Sequence, residues 1–133
     1  MADAVATTTI VDGPRIAVIY CTNTSDGTGE SAVVKVDVSS LSSLQNGTAC
    51  TGVRLQKVSF SNVGMAVKIL WVATTNVIAL ELPENYSDTL DFSEIGGLPN
   101  YSGSGKTGDA SFTTVGHASG ETYSVVLTCV KEY

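Results

Sequence analysis

Large apolar residues at every second position between Met65 and Leu82 are the feature that most limits the fold. They recur in 65–71 and again in 76–82, and the turn-forming residues 73–76 lie at the junction. A period of two is typical of a β-strand that is buried on one face. The pattern therefore predicts a hairpin, which ends at Pro83 because proline cannot donate to a sheet ladder.

The same pattern predicts strands in most of the remaining chain. Further strands are expected at 15–22, 31–39, 53–60, 110–115 and 121–130, with a short one around Leu90 and Phe92. We expect 15–22 and 31–39 to pair as a hairpin with a long polar loop. We expect 110–115 and 121–130 to form the last hairpin of the chain.

Two of these strands carry a specific prediction about side-chain direction. In 31–39 the alternation predicts that Ala32, Val34, Val36 and Val38 point inward and that Lys35 and Asp37 point outward. In 53–60 the alternation changes phase, because Val53 and Leu55 share one face and Val58 and Phe60 the other. One extra residue near Gln56-Lys57 would restore the register, so we expect a β-bulge there.

These elements predict an all-β protein, an antiparallel β-sandwich of jelly-roll or Ig-like type. At 133 residues the chain is long enough for one domain, which we assign to 14–133 after an N-terminal arm at 1–13. Leu41 and Leu44 permit a single helical turn. The predicted core comprises Val34, Val36, Val67, Ile69, Trp71, Leu80, Phe112, Val125 and Leu127.

Composition argues against several classes of partner. The net charge is −6, and the seven basic residues are dispersed, which disfavours nucleic acid because phosphate binding needs clustered Lys and Arg. No stretch approaches the roughly 18 apolar residues of a membrane helix, and no secretory signal is visible, so synthesis in a cytoplasm is expected. Cys21, Cys50 and Cys129 lack metal spacing and are expected to be free and buried.

Candidate catalytic groups are weak, so we expect no enzyme, no cofactor and no metal. Ser102–Thr107 contains Gly-Lys-Thr, but Asn100 stands where a phosphate-binding loop needs glycine, and a strand rather than a helix is predicted to follow. His117 has no nucleophile and orienting carboxylate beside it. The acidic residues between Glu81 and Glu94 match no calcium loop.

Several short motifs occur in order between Gly52 and Tyr133. They are Gly64-Met65 before the Trp71 strand, Trp71-x-Ala73-Thr74-Thr75, Asp91-Phe92 with Gly96-Gly97-Leu98, Gly103–Asp109, Phe112–His117 and Gly120–Leu127. In this order about three-fifths of the chain resembles a family of small structural proteins of tailed bacteriophages that infect marine bacteria, notably cyanophages. Members often carry acidic residues beside the Ala-Thr-Thr turn, where this chain has Val72 and Asn76.

The resemblance implies a virion component without enzymatic activity, and a capsid decoration or cement protein fits it best. Such a protein would occur in many copies or as a homo-oligomer on the capsid surface, with the major capsid protein lattice and further copies of itself as the expected partners. The alternative is a receptor- or glycan-binding module of a tail fibre.

Two segments without an expected role inside the fold are candidates for partner contact. Residues 2–11 combine apolar residues with threonines, a composition suited to adding a strand to a neighbour. The glycine-rich segment 96–108 is too long for a simple turn, and long ordered loops often carry function. The predicted contact residues are Val5, Thr8, Ile10, Val11, Leu98, Tyr101, Gly103 and Gly105.

Overall fold

The computed structural model describes residues 4–43, 47–116 and 118–132. Within them the regular structure is almost entirely β. The strands are β1 (Ala4–Asp12), β2 (Ile16–Thr24), β3 (Val33–Val36), β4 (Gly52–Val63), β5 (Ala66–Trp71), β6 (Val77–Leu82), β7 (Tyr86–Asp91), β8 (Ala110–Val115) and β9 (Thr122–Glu132), and two 3₁₀ turns lie at Val38–Ser40 and Ser93–Ile95. The predicted all-β class is confirmed.

Two antiparallel sheets form a sandwich. The five-stranded sheet has the order β1-β2-β9-β4-β7, and the four-stranded sheet has the order β3-β8-β5-β6. The eight strands from β2 to β9 pair in nested order along the chain, the first with the last. β2 pairs with β9, β3 with β8, β4 with β7 and β5 with β6. A long hairpin rolled up in this way is a jelly roll, so of the two predicted sandwich types the pairing selects this one.

The hairpin predicted from the alternating pattern is confirmed as β5 and β6. Their antiparallel register joins Val67 to Leu82 and Trp71 to Val77. Val67, Ile69 and Trp71 are buried on one face of β5, and their neighbours are half-exposed on the other. Leu80 of the predicted core is only partly buried and packs at the margin of the cluster.

The bulge predicted in the 53–60 strand is also confirmed. The register of β4 against β9 shifts between Leu55 and Lys57. Because of this extra residue, Val53, Leu55, Val58 and Phe60 all face the core, although they are not in phase in the sequence. The bulge lets a strand of 12 residues keep a continuous apolar face.

The predicted side-chain directions in 31–39 are wrong at three residues, of which Ala32, just before β3, is exposed although it was expected to point inward. Val34 is 46% exposed, whereas Lys35 is only 6% exposed. The register of β3 against β8 shifts between Val34 and Val36, so Lys35 occupies a bulge and turns inward, where Glu30 pairs with it. The even spacing of Val34, Val36 and Val38 in the sequence concealed this bulge.

Both outer hairpins were predicted wrongly. β2 pairs with β1 and β9, while β3 belongs to the other sheet. β8 and β9 are likewise in different sheets. In a rolled topology many consecutive strands cross from one sheet to the other, and alternation within a strand carries no information about its partner.

The remaining segments lie close to their predicted positions. Residues assigned to an N-terminal arm form β1, which pairs along its length with β2. The helical turn expected near Leu41 is the 3₁₀ turn at Val38–Ser40, and Leu44 lies outside the described residues. Phe92 follows the end of β7, and 96–108 contains no strand.

Replacing Trp71 with alanine should lower the free energy of unfolding by about 3–5 kcal/mol. Removal of this large buried aromatic side chain leaves a cavity that the two sheets can fill only in part. Trp71 is 2% exposed between Val77 and Ala110. Leu70→Ala on the half-exposed opposite face is the matched control and should cost less. Equal losses in chemical denaturation would contradict the assigned facing of β5.

Candidate functional site: the edge strand β1

Strand β1 forms one edge of the five-stranded sheet and presents an unpaired backbone to the surroundings. The turn Asp12-Gly13-Pro14 reverses the chain into β2, and the Gly13 N–H donates to the carbonyl of Ile16 at 2.9 Å. The nine residues of β1 then run antiparallel to β2 from Ala4, opposite Thr24, to Asp12, opposite Ala17. The local sequence therefore folds the N-terminal segment back as a strand.

The side chains of β1 are exposed on both faces. Thr7 lies opposite the buried Cys21 and so points to the inner side of the sheet, whereas Thr8 lies opposite Tyr20 on the outer side. Every side chain from Val5 to Val11 is nevertheless exposed, and Ile10 reaches 56%. The four-stranded sheet therefore leaves the inner side of β1 uncovered.

A partly buried ion pair fixes the end of β1. The Asp12 carboxylate binds Lys131 Nζ, whose side chain is fully buried, and accepts hydrogen bonds from the Ser42 N–H at 3.0 Å and the Ser42 hydroxyl at 2.9 Å. Burial alone would raise the pKa of Asp12, but the hydrogen bonds from Lys131 and Ser42 outweigh it and lower that pKa. Asp12 thus stays charged and faces its own domain.

The edge of β1 has few of the features that usually protect such edges. It carries no charge between Ala4 and Val11, no proline, and one bulge between Thr9 and Val11. The other edges in the described part of the chain are less open to pairing. β7 contains Asp88 and Asp91, β3 is four residues long, and β6 has six residues including Glu81.

The predicted contact residues lie at the two opposite lateral edges of the five-stranded sheet. Val5, Thr8, Ile10 and Val11 lie along β1, and all four are exposed. Leu98 exchanges backbone hydrogen bonds of 2.8 and 3.2 Å with Leu55 of β4, on the side of β4 away from β9. Four strand spacings separate Leu98 from β1, about 19 Å.

The second side is formed by the segment 93–107. Tyr101 is 82% exposed and Ile95 61% exposed, so two large apolar side chains face solvent there. Gly103 and Gly105 have φ near +76°, and a Cβ at Gly105 would collide with the Thr74 hydroxyl. Gly105 is therefore required by close packing against the 73–76 turn. Ile95 was missed in the sequence because it follows the acidic stretch with no periodic pattern.

A shallow groove of about 530 Å³ lies on the outer face of the same sheet. Hydroxyl side chains form a row across four strands, Ser87, Ser61, Ser124 and Thr22, and Ser87 donates to Ser61 at 2.9 Å. The neighbouring row ends at Tyr20. This surface cannot be recognised in the sequence because its residues come from four separate strands.

A buried polar cluster lies between the sheets. Glu30 Oε2 is 2.5 Å from Lys35 Nζ, and Glu30 Oε1 accepts hydrogen bonds from Asn23 at 2.9 Å and from the Tyr123 hydroxyl. Burial and the bond to Glu30 raise the pKa of Tyr123 well above its usual value. The Glu30 and Lys35 side chains are almost completely inaccessible to solvent, so the cluster anchors the 25–32 segment rather than forming an open site.

The other sequence candidates do not converge on a reaction centre. Residues 102–107 lead into β8 and contact the 73–76 turn, with the Thr107 N–H donating to Val72 O at 3.1 Å. His117 lies outside the described residues. Across 4–43, 47–116 and 118–132 there is no group of three or more His, Cys, Asp or Glu that could hold a metal ion. The same residues contain no helix of the length and hydropathy needed to span a bilayer.

Comparison of the chain with protein-family models, with curated proteins and with solved structures gives no match. The surfaces described above are therefore the basis for inferring a function. Of these, the edge of β1 is distinguished by length, lack of charge and exposure on both faces.

Replacing Lys35 with methionine should lower the free energy of unfolding by about 3–5 kcal/mol, because Glu30 would keep a buried charge without its cation. Lys57→Met removes an exposed lysine from the outer face of β4 and should change stability by about 0.5 kcal/mol or less. Urea denaturation of both variants makes the comparison. Similar values for the two would contradict a stabilising role for the cluster.

The unfolding free energy should fall as pH rises above about 9. The three cysteines are free and buried, and burial raises the pKa of Cys21 to about 11 and that of Cys129 to about 12, from 9.0. A raised pKa means that the folded state favours the neutral thiol. The stabilisation of the fold that results is complete below pH 9, the pKa in the unfolded chain. It is lost as the pH rises from 9 toward the folded-state pKa, at about 1.4 kcal/mol per pH unit per thiol. Denaturation of Cys129→Ala between pH 8 and 10.5 should give a shallower decline than the wild type; equal slopes would contradict the assignment.

Proposed function

We propose that the chain is a non-enzymatic virion structural protein, a capsid decoration protein of a tailed bacteriophage. It is made in the host cytoplasm and binds in many copies to the major capsid protein lattice at the capsid surface. The observation that carries this proposal is the open edge of β1, nine residues long and uncharged from Ala4 to Val11. Such an edge pairs readily with a strand of another chain.

Strand addition suits a protein that assembles in a dense array. The backbone N–H and C=O groups of β1 supply the affinity, and the side chains that alternate along it supply selectivity. Since Asp12 is bound to Lys131, the one acidic group of the strand does not repel an incoming partner. The exposed Tyr101 and Ile95 on the opposite side offer a second contact, of the aromatic and aliphatic type that anchors interfaces.

The described residues of the motifs that carry the family resemblance hold the fold together and do not form a reaction centre. The Trp71–Thr75 motif and the Gly103–Asp109 motif contact each other, since the Thr74 N–H donates to Ser104 O at 3.4 Å and the Val72 N–H to Asp109 O at 3.0 Å. Their residues maintain a corner between β5 and β8. Jelly rolls are also common among viral capsid domains, which supports the proposal as an analogy of fold.

A glycan-binding module of a tail fibre is the second candidate, and the groove on the outer face of the five-stranded sheet favours it. Its rows of serine and threonine hydroxyls can exchange hydrogen bonds with sugar hydroxyls. Tyr20, 37% exposed at the end of one row, supplies an aromatic surface. The two candidates use different surfaces, so variants of each can separate them.

A charge in the centre of β1 should prevent incorporation into particles. Thr8→Lys should reduce the number of copies per virion severalfold, because lysine on an edge strand opposes pairing. Ser124→Lys adds the same charge to the outer face of β9, two strands away, and should leave the copy number unchanged. Quantitative mass spectrometry of purified virions, with the major capsid protein as internal reference, measures both.

The fibre candidate makes the opposite prediction. A few copies per virion, normal incorporation of Thr8→Lys and glycan binding that is lost in Ser124→Lys would refute the decoration role and support the groove. A chain found in many copies that binds no glycan would refute the fibre role.

A further inference from the structure

We propose that β1 pairs with β1 of a second copy of the chain, antiparallel about a two-fold axis, so that two five-stranded sheets join into one. A second copy of the chain is then the partner that binds the edge on which the proposed function depends. This inference rests on the proposed function, in which β1 is an assembly edge. A two-fold interface uses the same patch on both subunits, so the patch must be complementary to itself.

The sequence of β1 meets that requirement when it is read in both directions. In a pair centred on Thr8, Thr8 faces its own counterpart and Thr7 faces Thr9, and the bulge at Ile10 ends the regular alternation beyond Thr9. In a pair centred on Thr7, Ala6 faces Thr8 and Val5 faces Thr9. Either register sets threonine or an apolar residue opposite the same kinds of residue, and such cross-strand pairs are favourable.

Charge does not oppose pairing along β1 itself, even though each chain carries a net charge of −6. Like charges directly opposite one another destabilise a sheet. The charged Asp12 lies beyond the bulge at the end of β1, and its carboxylate is bound to Lys131 of its own chain. The remaining repulsion acts over the whole surface and is screened by salt, so dimerisation should strengthen as ionic strength rises.

The surroundings of β1 leave room for a second copy. Its side chains from Val5 to Val11 are exposed on both faces, so the four-stranded sheet does not block the approach of a strand. The opposite edge of the same sheet, β7, carries Asp88 and Asp91 and would bring like charges together in a symmetric pair. Among the edges that the structure describes, β1 is the one suited to pairing with itself.

The size of the contact sets its strength. β1 offers nine residues, whereas a standard stable interface uses about 20–30 residues a side. The free dimer should therefore be weak, with a dissociation constant in the micromolar range or above. Attachment of copies to a repeating surface raises their local concentration, and the same contact then links neighbouring copies. In that arrangement Tyr101 and Ile95, on the far side of the sheet, remain free to meet another protein.

Cysteine cross-linking tests the geometry. Residues opposite each other across an antiparallel pair have Cα atoms about 4.5–5.5 Å apart, within the roughly 4.4–6.8 Å that a disulfide spans. Thr7→Cys or Thr8→Cys, whichever lies on the two-fold axis, should form a covalent dimer under mild oxidation. Ser124→Cys on β9 is the control and should stay monomeric. The native cysteines are buried and do not compete.

Opposite charges introduced at Thr8 test whether the partner of β1 is a second copy of the chain. Thr8→Lys and Thr8→Glu should each be monomeric in sedimentation velocity at concentrations where the wild type dimerises, and an equimolar mixture should recover the dimer. A wild type that stays monomeric at millimolar concentration, or a dimer that survives in Thr8→Lys with no cross-link at Thr7 or Thr8, would overturn the inference. Pairing of β1 with a strand of the major capsid protein in place of a second copy would overturn it as well.

The two proposals fail separately. Dimers that form through β1 in a chain that is absent from virions would remove the decoration role and leave the pairing intact. Many copies per virion of a chain that is strictly monomeric and does not cross-link at β1 would remove the pairing and leave the decoration role.

Discussion

The nested pairing of strands around β9 is the constraint on which the rest of the structure depends. β9 pairs with β2 on one side and with β4 on the other, so it joins the beginning, middle and end of the chain in one sheet. Its inner face is formed by Tyr123, Val125, Leu127, Cys129 and Lys131, all of them buried. Once β9 is in place, every neighbouring strand must turn its apolar side toward the same interior.

This constraint explains why the sheets contain bulges. A strand that is out of phase with the interior would turn its apolar residues to solvent, and one additional residue corrects the phase. In β4 the bulge near Gln56 keeps Leu55 and Val58 in the core. In β3 the bulge turns Lys35 inward, and the desolvated lysine is tolerated because Glu30 is within 2.5 Å. Glu30 also bonds to Thr114 of β8 and to Tyr123 of β9, and these bonds connect the 25–32 segment to both strands.

Unequal sheets leave one strand without cover. The rolled hairpin uses β2 to β9, with four strands in each layer, and β1 adds a fifth strand to one of them. Since no strand of the opposite layer lies over it, the side chains of β1 stay exposed on both faces. An element that adds no side chain to the core but remains paired along its length is well suited to contact with other molecules. The functional proposals follow from this geometry.

Local sequence patterns were sufficient to predict the structure where the relevant interaction lies within a strand or between two strands that follow each other in the chain. Alternation at Val67, Ile69 and Trp71 was enough to identify the β5–β6 hairpin, and the phase change between Leu55 and Val58 was enough to locate a bulge. The threonines and apolar residues of 2–11 were likewise recognisable as prone to strand pairing, although the sequence assigned them to an arm and the structure pairs β1 with β2 of its own chain. These properties depend on side-chain direction, which has a period of two in any strand.

The tertiary structure decided the properties that depend on pairing between distant segments. The sequence alone determined that the chain is all-β, that its cysteines are free and that residues 2–11 favour strand pairing. Only the fold decided that β2 pairs with β9 rather than β3, that Lys35 is buried beside Glu30, and that Leu98 and β1 lie on opposite sides of one sheet. The physical reason is that alternation records which face of a strand is apolar, while the choice of neighbour depends on how all the strands together close a single core.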